Sequence, residues 1–289
     1  MRALLKKLGP YGELCKVRIA LFSAFSTATG FTVSSGQITP QMVVLVLGVF
    51  LLACGASVLN QHQEKDIDAL MPRTKDRPIP SIRIRPLDAL YFSFILICSG
   101  LFTLLLVSGP SAPLFGLFAL GWYNGVYTFL KRKTSFAVIP GALLGAVPVA
   151  IGWTAGGGIM NDPKLWMICF FFFMWQIPHS WLFILNYGRE YEMAGLPSLT
   201  AVFSKAQLVR LNFIWMSSVA VSCLLMTVSG AIRSPAVNVS LFILSAWLIG
   251  NGIRLFRASE RGSAFSLAFS RINIYMFFVM SLLTADKLF

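Results

Sequence analysis

The chain has 289 residues, 56% of them hydrophobic and only 12% charged, with 25 Phe among them. Soluble domains carry about 25% charged residues, so this composition excludes an ordinary globular domain and points to side chains that face lipid. The net charge of +13 would suit a nucleic-acid binder, but in a lipid-embedded chain it reports basic connections held at one membrane surface, and no nucleic-acid partner is expected.

A helix that spans the bilayer needs about 20 mainly apolar residues. Apolar runs fall at 18–35, 41–60, 89–108, 112–130, 136–155, 164–186, 209–229, 236–253 and 272–286. Backbone polar groups in lipid must be satisfied internally. The expected fold class is therefore all-α: a polytopic bundle of about nine transmembrane helices, forming one integral membrane domain over 1–289. The first run follows a charged lead from Arg2 to Arg18, so it reads as a membrane helix rather than a cleavable signal peptide. Cys15, Cys54, Cys98, Cys169 and Cys223 are scattered, and no pair has the spacing of a zinc site or a disulfide framework.

Charge sets the expected orientation. Counting alternate connections as one side, the N-terminal lead holds five basic residues, and the connections after the second, fourth, sixth and eighth runs hold six, three, three and four. Only Lys164, Arg233 and Lys287 fall on the other side. Basic residues accumulate on the cytoplasmic side, which places the N-terminus inside and the C-terminus outside. The acidic residues follow the same division, with only Asp162 and Asp286 on the outer side. Two inner connections, about 60–88 and 187–208, are longer than the rest, and long connections in compact folds are often functional.

The first of these begins Asn60-Gln-His-Gln-Glu64-Lys-Asp66-Ile-Asp68 and continues through Arg73 and Arg77. If the second helix runs on by a turn or two, Asn60, Glu64 and Asp68 recur every four residues and stack on one face. An amide and two carboxylates suit Mg²⁺, which takes one or two carboxylates and leaves its other positions to water and phosphate. Arg73 and Arg77 follow at the same spacing and can clamp phosphate oxygens. A solvated, salt-bridged loop is the alternative, but acids at the end of an apolar helix are costly unless they have a use. The second connection repeats the pattern as Asn186-x-x-x-Glu190, which suggests two half-sites facing each other. Lys131, Arg132 and Lys133 close the fourth helix on the same face, as positive anchors and as candidate diphosphate contacts. His62 and His179 are the only histidines; His179, after Pro178 in or near a membrane helix, is the more suggestive of the two.

These residues resemble the UbiA superfamily of membrane prenyltransferases, and within it the protoheme IX farnesyltransferase (heme O synthase) branch. The similarity rests on Asn60, Glu64, Asp66, Asp68, Met71, Arg73, Thr74, Arg77 and Pro78; on Leu130–Thr134 and Pro140–Trp153; and on Trp175-Gln-Ile-Pro-His179 followed by Tyr191-x-x-Ala194-Gly-x-Pro197. It extends from the first helix to about residue 200. Glu64 and Glu190 stand where the family usually has Asp. Ala194 replaces the second acid of the quinone-type motif, and Ser198 stands where the heme branch usually has Met.

The resemblance implies Mg²⁺-dependent transfer of a farnesyl group from farnesyl diphosphate to a vinyl group of heme B in the inner membrane. It implies metal ligands Asn60, Glu64, Asp68 and Glu190, with Asp66 completing the acidic catalytic set. Diphosphate contacts would be Asn60, Arg73, Arg77, Lys131 and Arg132, with Lys131 also neutralising the leaving group, and His179 would touch the heme iron or a propionate. Association with heme A synthase or terminal oxidase assembly is a further implication. A sister enzyme prenylating a quinone precursor is the nearest rival. A midplane transporter is the more distant one, and it would need charged or broken helices in matching halves.

Overall fold

The computed structural model describes residues 9–257 and 264–289. Arg2, Lys6, Lys7, Glu260 and Arg261, counted in the charge division, lie outside the described residues. The described residues contain helix and no strand, and each apolar run falls on a helix. These are α1 (Val17–Ser35), α2 (Pro40–Gln63), α3 (Pro86–Ser108), α4 (111–130), α5 (Ser135–Ala155), α6 (Pro163–Met193), α7 (Lys205–Val228), α8 (Pro235–Arg257) and α9 (Ala264–Leu288).

Among the described residues, seven helices are long and apolar enough to cross a membrane: α2, α3 and α5 to α9. The expected count of nine is therefore not reached by that measure. Helix α1 is rich in Ser and Thr, and α4 is interrupted by a π-helical stretch at Gly121–Tyr127. The chain is a multi-pass, all-helical membrane protein.

Two boundaries differ from the sequence reading. Helix α6 continues to Met193, so the stretch from 187 is helix rather than connection. It ends only where Gly195 turns into the left-handed region at φ 72°. Pro178 sits inside α6 without ending it, as membrane helices allow. Helix α9 starts at Ala264 rather than near 272.

Lipid gives little hydrophobic drive for helix association, so close packing through small residues takes over. On α3, a Cβ added at Gly100 would lie 2.7 Å from the Leu52 backbone nitrogen of α2. Gly55 of α2 meets Ile97 of α3 in the same way, and Ser93 donates to the Gly55 carbonyl at 3.0 Å. Helices α1 and α5 touch through Gly30 and Gly152, where the backbones of Val149 and Thr27 leave no room for a side chain. The largest apolar core joins α5 to α9 around the fully buried Phe171, Phe172 and Tyr275. A second joins Leu14, Val58 and Ala89. At one end, Asp286 of α9 accepts from the backbone N–H groups of Arg233 at 3.0 Å and Ser234 at 2.7 Å, just ahead of α8. That end position gives Asp286 a structural use.

Candidate active site

At the other end, the sequence Asn60–Asp68 keeps its helical spacing through a break. Helix α2 stops at Gln63 and a short helix resumes at Lys65–Asp68, with Glu64 at φ −108° between them. The ladder nevertheless continues: Glu64 N–H donates to Asn60 O at 3.0 Å, and Asp68 N–H donates to Glu64 O at 2.8 Å. Asn60, Glu64 and Asp68 are all buried, at 2%, 6% and 2% exposure, and all line one cavity.

Each has a partner from elsewhere in the chain. The Asn60 amide donates to Thr128 Oγ1 at 3.1 Å, and its Oδ1 accepts from Lys16 Nζ at 3.2 Å. Lys131 holds Glu64 at 2.6 Å, and Arg77 holds Asp68 at 2.7 Å. Burial works hardest against the Lys131 ammonium, but the Glu64 carboxylate together with Tyr127, Tyr191 and Tyr123 outweighs it and keeps the pKa above the usual lysine value. Lys16 shows the reverse balance. Burial, then the Arg77 and Lys131 charges, push it down to about 7, and Glu64 and Asp68 offset this only in part.

Arg73 is fixed by aromatic faces, with its guanidinium carbon 4.8 Å from the Tyr187 ring centre and 5.2 Å from that of Phe183. Its backbone N–H donates to Glu190 Oε2 at 3.1 Å. The first inner connection therefore meets the end of α6 at Glu190, through a backbone N–H rather than a shared ligand point. Glu190 is not among the cavity-lining residues, so the structure does not gather the expected four-ligand set. Among the described residues, no three His, Cys, Asp or Glu side chains surround one point.

The remaining sequence candidates separate. Asp66 is exposed and does not line the cavity, because two residues from Asp68 is half a helical turn, on the opposite face. Arg132 donates to the Gln63 carbonyl at 2.8 Å instead of entering the cavity. Asn186 turns back onto the Leu182 carbonyl at 2.9 Å, so the echo of Asn60 is one of spacing only. His62 packs against the Pro86 carbonyl at 3.0 Å. His179 does line the cavity, its ring 4.6 Å from Trp175 and 5.0 Å from Phe269.

The cavity holds about 960 Å³. Its ionic end is built by Lys16, Asn60, Glu64, Asp68, Arg77 and Lys131, and its far wall by Phe22, Trp175, His179, Phe269 and Phe277. The sequence reading missed Lys16, Tyr123 and Tyr127. The two tyrosines lie in the π-helical stretch of α4, a feature often found at functional sites. Only the placing of Lys16 directly ahead of an apolar run could have drawn attention to it.

Chemically, a buried amide and two buried carboxylates offer hard oxygen donors beside lysine and arginine cations. That set suits a divalent ion such as Mg²⁺, which completes its shell with phosphate oxygens. The apolar extension suits a hydrocarbon tail.

Comparison with known proteins agrees. A model of the UbiA prenyltransferase family matches residues 22–281. Protoheme IX farnesyltransferase of Oleidesulfovibrio alaskensis is 34% identical over 276 residues, covering 96% of this chain and 95% of the relative. The protein of the same name from Geobacter sulfurreducens is 37% identical over 217 residues, covering 75% and 80%. Among solved structures, a digeranylgeranylglyceryl phosphate synthase superposes with TM-score 0.77 at 17% identity, covering 98% of this chain and 99% of that one. A UbiA homolog from Archaeoglobus fulgidus bound to GPP and Mg²⁺ superposes with TM-score 0.66 at 14% identity, covering 94% and 99%.

Proposed function

Because the chain belongs to the UbiA prenyltransferase family, we propose that it transfers a farnesyl group from farnesyl diphosphate to a vinyl group of protoheme IX, with Mg²⁺ as cofactor. The observation that carries this is one cavity with a charged end and an apolar extension, in a chain similar over most of its length to protoheme IX farnesyltransferases.

Mg²⁺ would be held by Asn60, Glu64 and Asp68 together with the diphosphate, and it would supply charge neutralisation there. The chain's own residues do the rest. Arg77 and Lys131 stabilise the negative charge that grows on the diphosphate oxygen as the carbon–oxygen bond breaks, and fixed cations in a water-poor site do this well. Arg73, held against Tyr187 and Phe183, fixes the loop that carries Arg77. The apolar wall houses the isoprenoid tail and excludes early water from the allylic cation. Attack by the vinyl carbon, followed by water, gives the hydroxyethylfarnesyl product. Glu190 acts by holding the Arg73 backbone, and His179 faces the acceptor from the far wall. Asp66 and Arg132 lie outside this scheme.

The ionic end is assigned to the cytoplasmic face of the inner membrane, on the strength of the basic-residue division. Association with heme A synthase or terminal oxidase assembly belongs to the same proposal and rests on resemblance alone.

The test is direct. Membranes containing the protein receive Mg²⁺, radiolabelled farnesyl diphosphate and either protoheme IX or 4-hydroxybenzoate. Label should enter a heme product identified by mass. Label entering the benzoate instead would move the chain to the quinone type of acceptor.

A further inference from the structure

We propose that Lys16 is a binding cation of the diphosphate site, reaching the leaving group from the segment that precedes α1. This rests on the prenyl-diphosphate reading above and adds to it a residue from outside both long connections.

Four observations converge. Lys16 lines the cavity beside Asn60, Glu64, Asp68, Arg77 and Lys131. Its ammonium donates to Asn60 Oδ1 at 3.2 Å, which puts it at the candidate metal–phosphate end rather than the far wall. Among the described residues Arg77 is paired with Asp68 and Lys131 with Glu64, whereas Lys16 has no carboxylate within ion-pair distance. Like Arg18 and Arg73, which also line the cavity outside any ion pair, it is a cation free to meet an incoming anion, and of the three it is the one bonded to Asn60. Finally, its backbone is left-handed at φ 47° and ψ 50°, and its side chain makes no helix-capping bond. A lysine rarely adopts this conformation, and strained backbone concentrates where the surroundings hold a residue for use.

The chemistry needs no proton transfer. As the allylic carbon–oxygen bond breaks, the electron pair stays with the diphosphate oxygen, and the Lys16 ammonium donates a hydrogen bond to the phosphate oxygens as charge accumulates. A charge-assisted bond of this kind is stronger than a neutral one. Lys16 would exchange its neutral partner, the Asn60 amide oxygen, for an anionic one.

The strained backbone makes the test selective. Lys16→Gly removes the ammonium and relieves the left-handed strain, so a purely structural role and a binding role predict opposite results. Detergent-purified protein is titrated calorimetrically with inorganic pyrophosphate in excess Mg²⁺, and its Tm is measured in parallel. Pyrophosphate affinity of Lys16→Gly should fall about tenfold or more, the loss of one charged hydrogen bond. Its Tm should hold or rise. Lys16→Arg should recover most of the affinity, and Lys75→Gln, an exposed charge control, should bind as the wild type does. Unchanged pyrophosphate binding by Lys16→Gly overturns this inference alone. So does a lowered Tm with Lys16→Arg bound no better. Wild-type protein that keeps its fold but binds no pyrophosphate overturns the prenyl-diphosphate reading as well, a separable failure.

Discussion

Asp68 is buried against Arg77, with a 2.7 Å ion pair and a side chain only 3% exposed. Asp68→Asn keeps the shape and the hydrogen-bond acceptor and removes one negative charge. If Asp68 only anchors Arg77, stability falls by about 1.5–3 kcal/mol, the worth of a hydrogen bond to a charged group, and turnover follows the folded fraction. If it helps hold the metal–diphosphate pair, turnover falls about 10²-fold or more in protein that is still folded. The second outcome is expected, read by single-turnover farnesyl transfer beside a thermal melt. Near-normal turnover would remove Asp68 from the site. The sequence made this residue legible because a four-residue period survives the break at Glu64. It misgrouped Asp66, whose place in the acidic motif says nothing about which face it occupies. Lys16 was hidden by company: in a basic N-terminal lead, one more lysine looks like a topological charge.

At the level of helices, hydrophobic runs located all nine long elements, because apolar length is what lipid selects, but not the short helices Lys65–Asp68 and Leu199–Val202. Their ends were harder to see. Tyr187–Met193 carries charge and reads as a connection, yet it stays helical until Gly195 provides the left-handed residue that ends α6. The π-helical stretch of α4 has no hydropathy signature, since it changes the register of hydrogen bonds and leaves composition alone. Packing between helices was equally silent. The Gly100 contact with Leu52 supplies a test: Gly100→Ala puts a methyl 2.7 Å from a backbone nitrogen that cannot move aside. It should destabilise by about 1–3 kcal/mol, the usual cost of overpacking. Gly250→Ala, in α8 with nothing within 4 Å, should be neutral or should stabilise by up to about 1 kcal/mol through helix propensity. Thermal melts in one detergent compare the two. Equal melting temperatures would mean that α2 and α3 are not held by this contact.

Across the whole molecule, charge and chemistry make linked demands. The proposed transfer draws a diphosphate and Mg²⁺ from water at the ionic end and lipid-like groups along the apolar wall, so it requires the site to lie at a membrane surface that faces the diphosphate supply. The division of basic residues over nine alternating runs, with Lys164, Arg233 and Lys287 alone on one side, predicts that this surface is the cytoplasmic one. Two positions report the sides independently of activity. Lys75 is exposed in the connection that carries Arg73 and Arg77, and Asn161 is exposed in the turn between α5 and α6. In a background with the five native cysteines replaced, Lys75→Cys should resist a membrane-impermeant maleimide in intact spheroplasts and react once the membrane is opened. Asn161→Cys should react in both. The reverse pattern would put the ionic end outside, away from cytoplasmic diphosphate, and the proposed transfer could not draw on that pool. Labelling of both positions in sealed cells would point to an even number of crossings between them. Helix α4 would then have to be re-entrant rather than spanning, because α3, α4 and α5 separate the two sites in the chain.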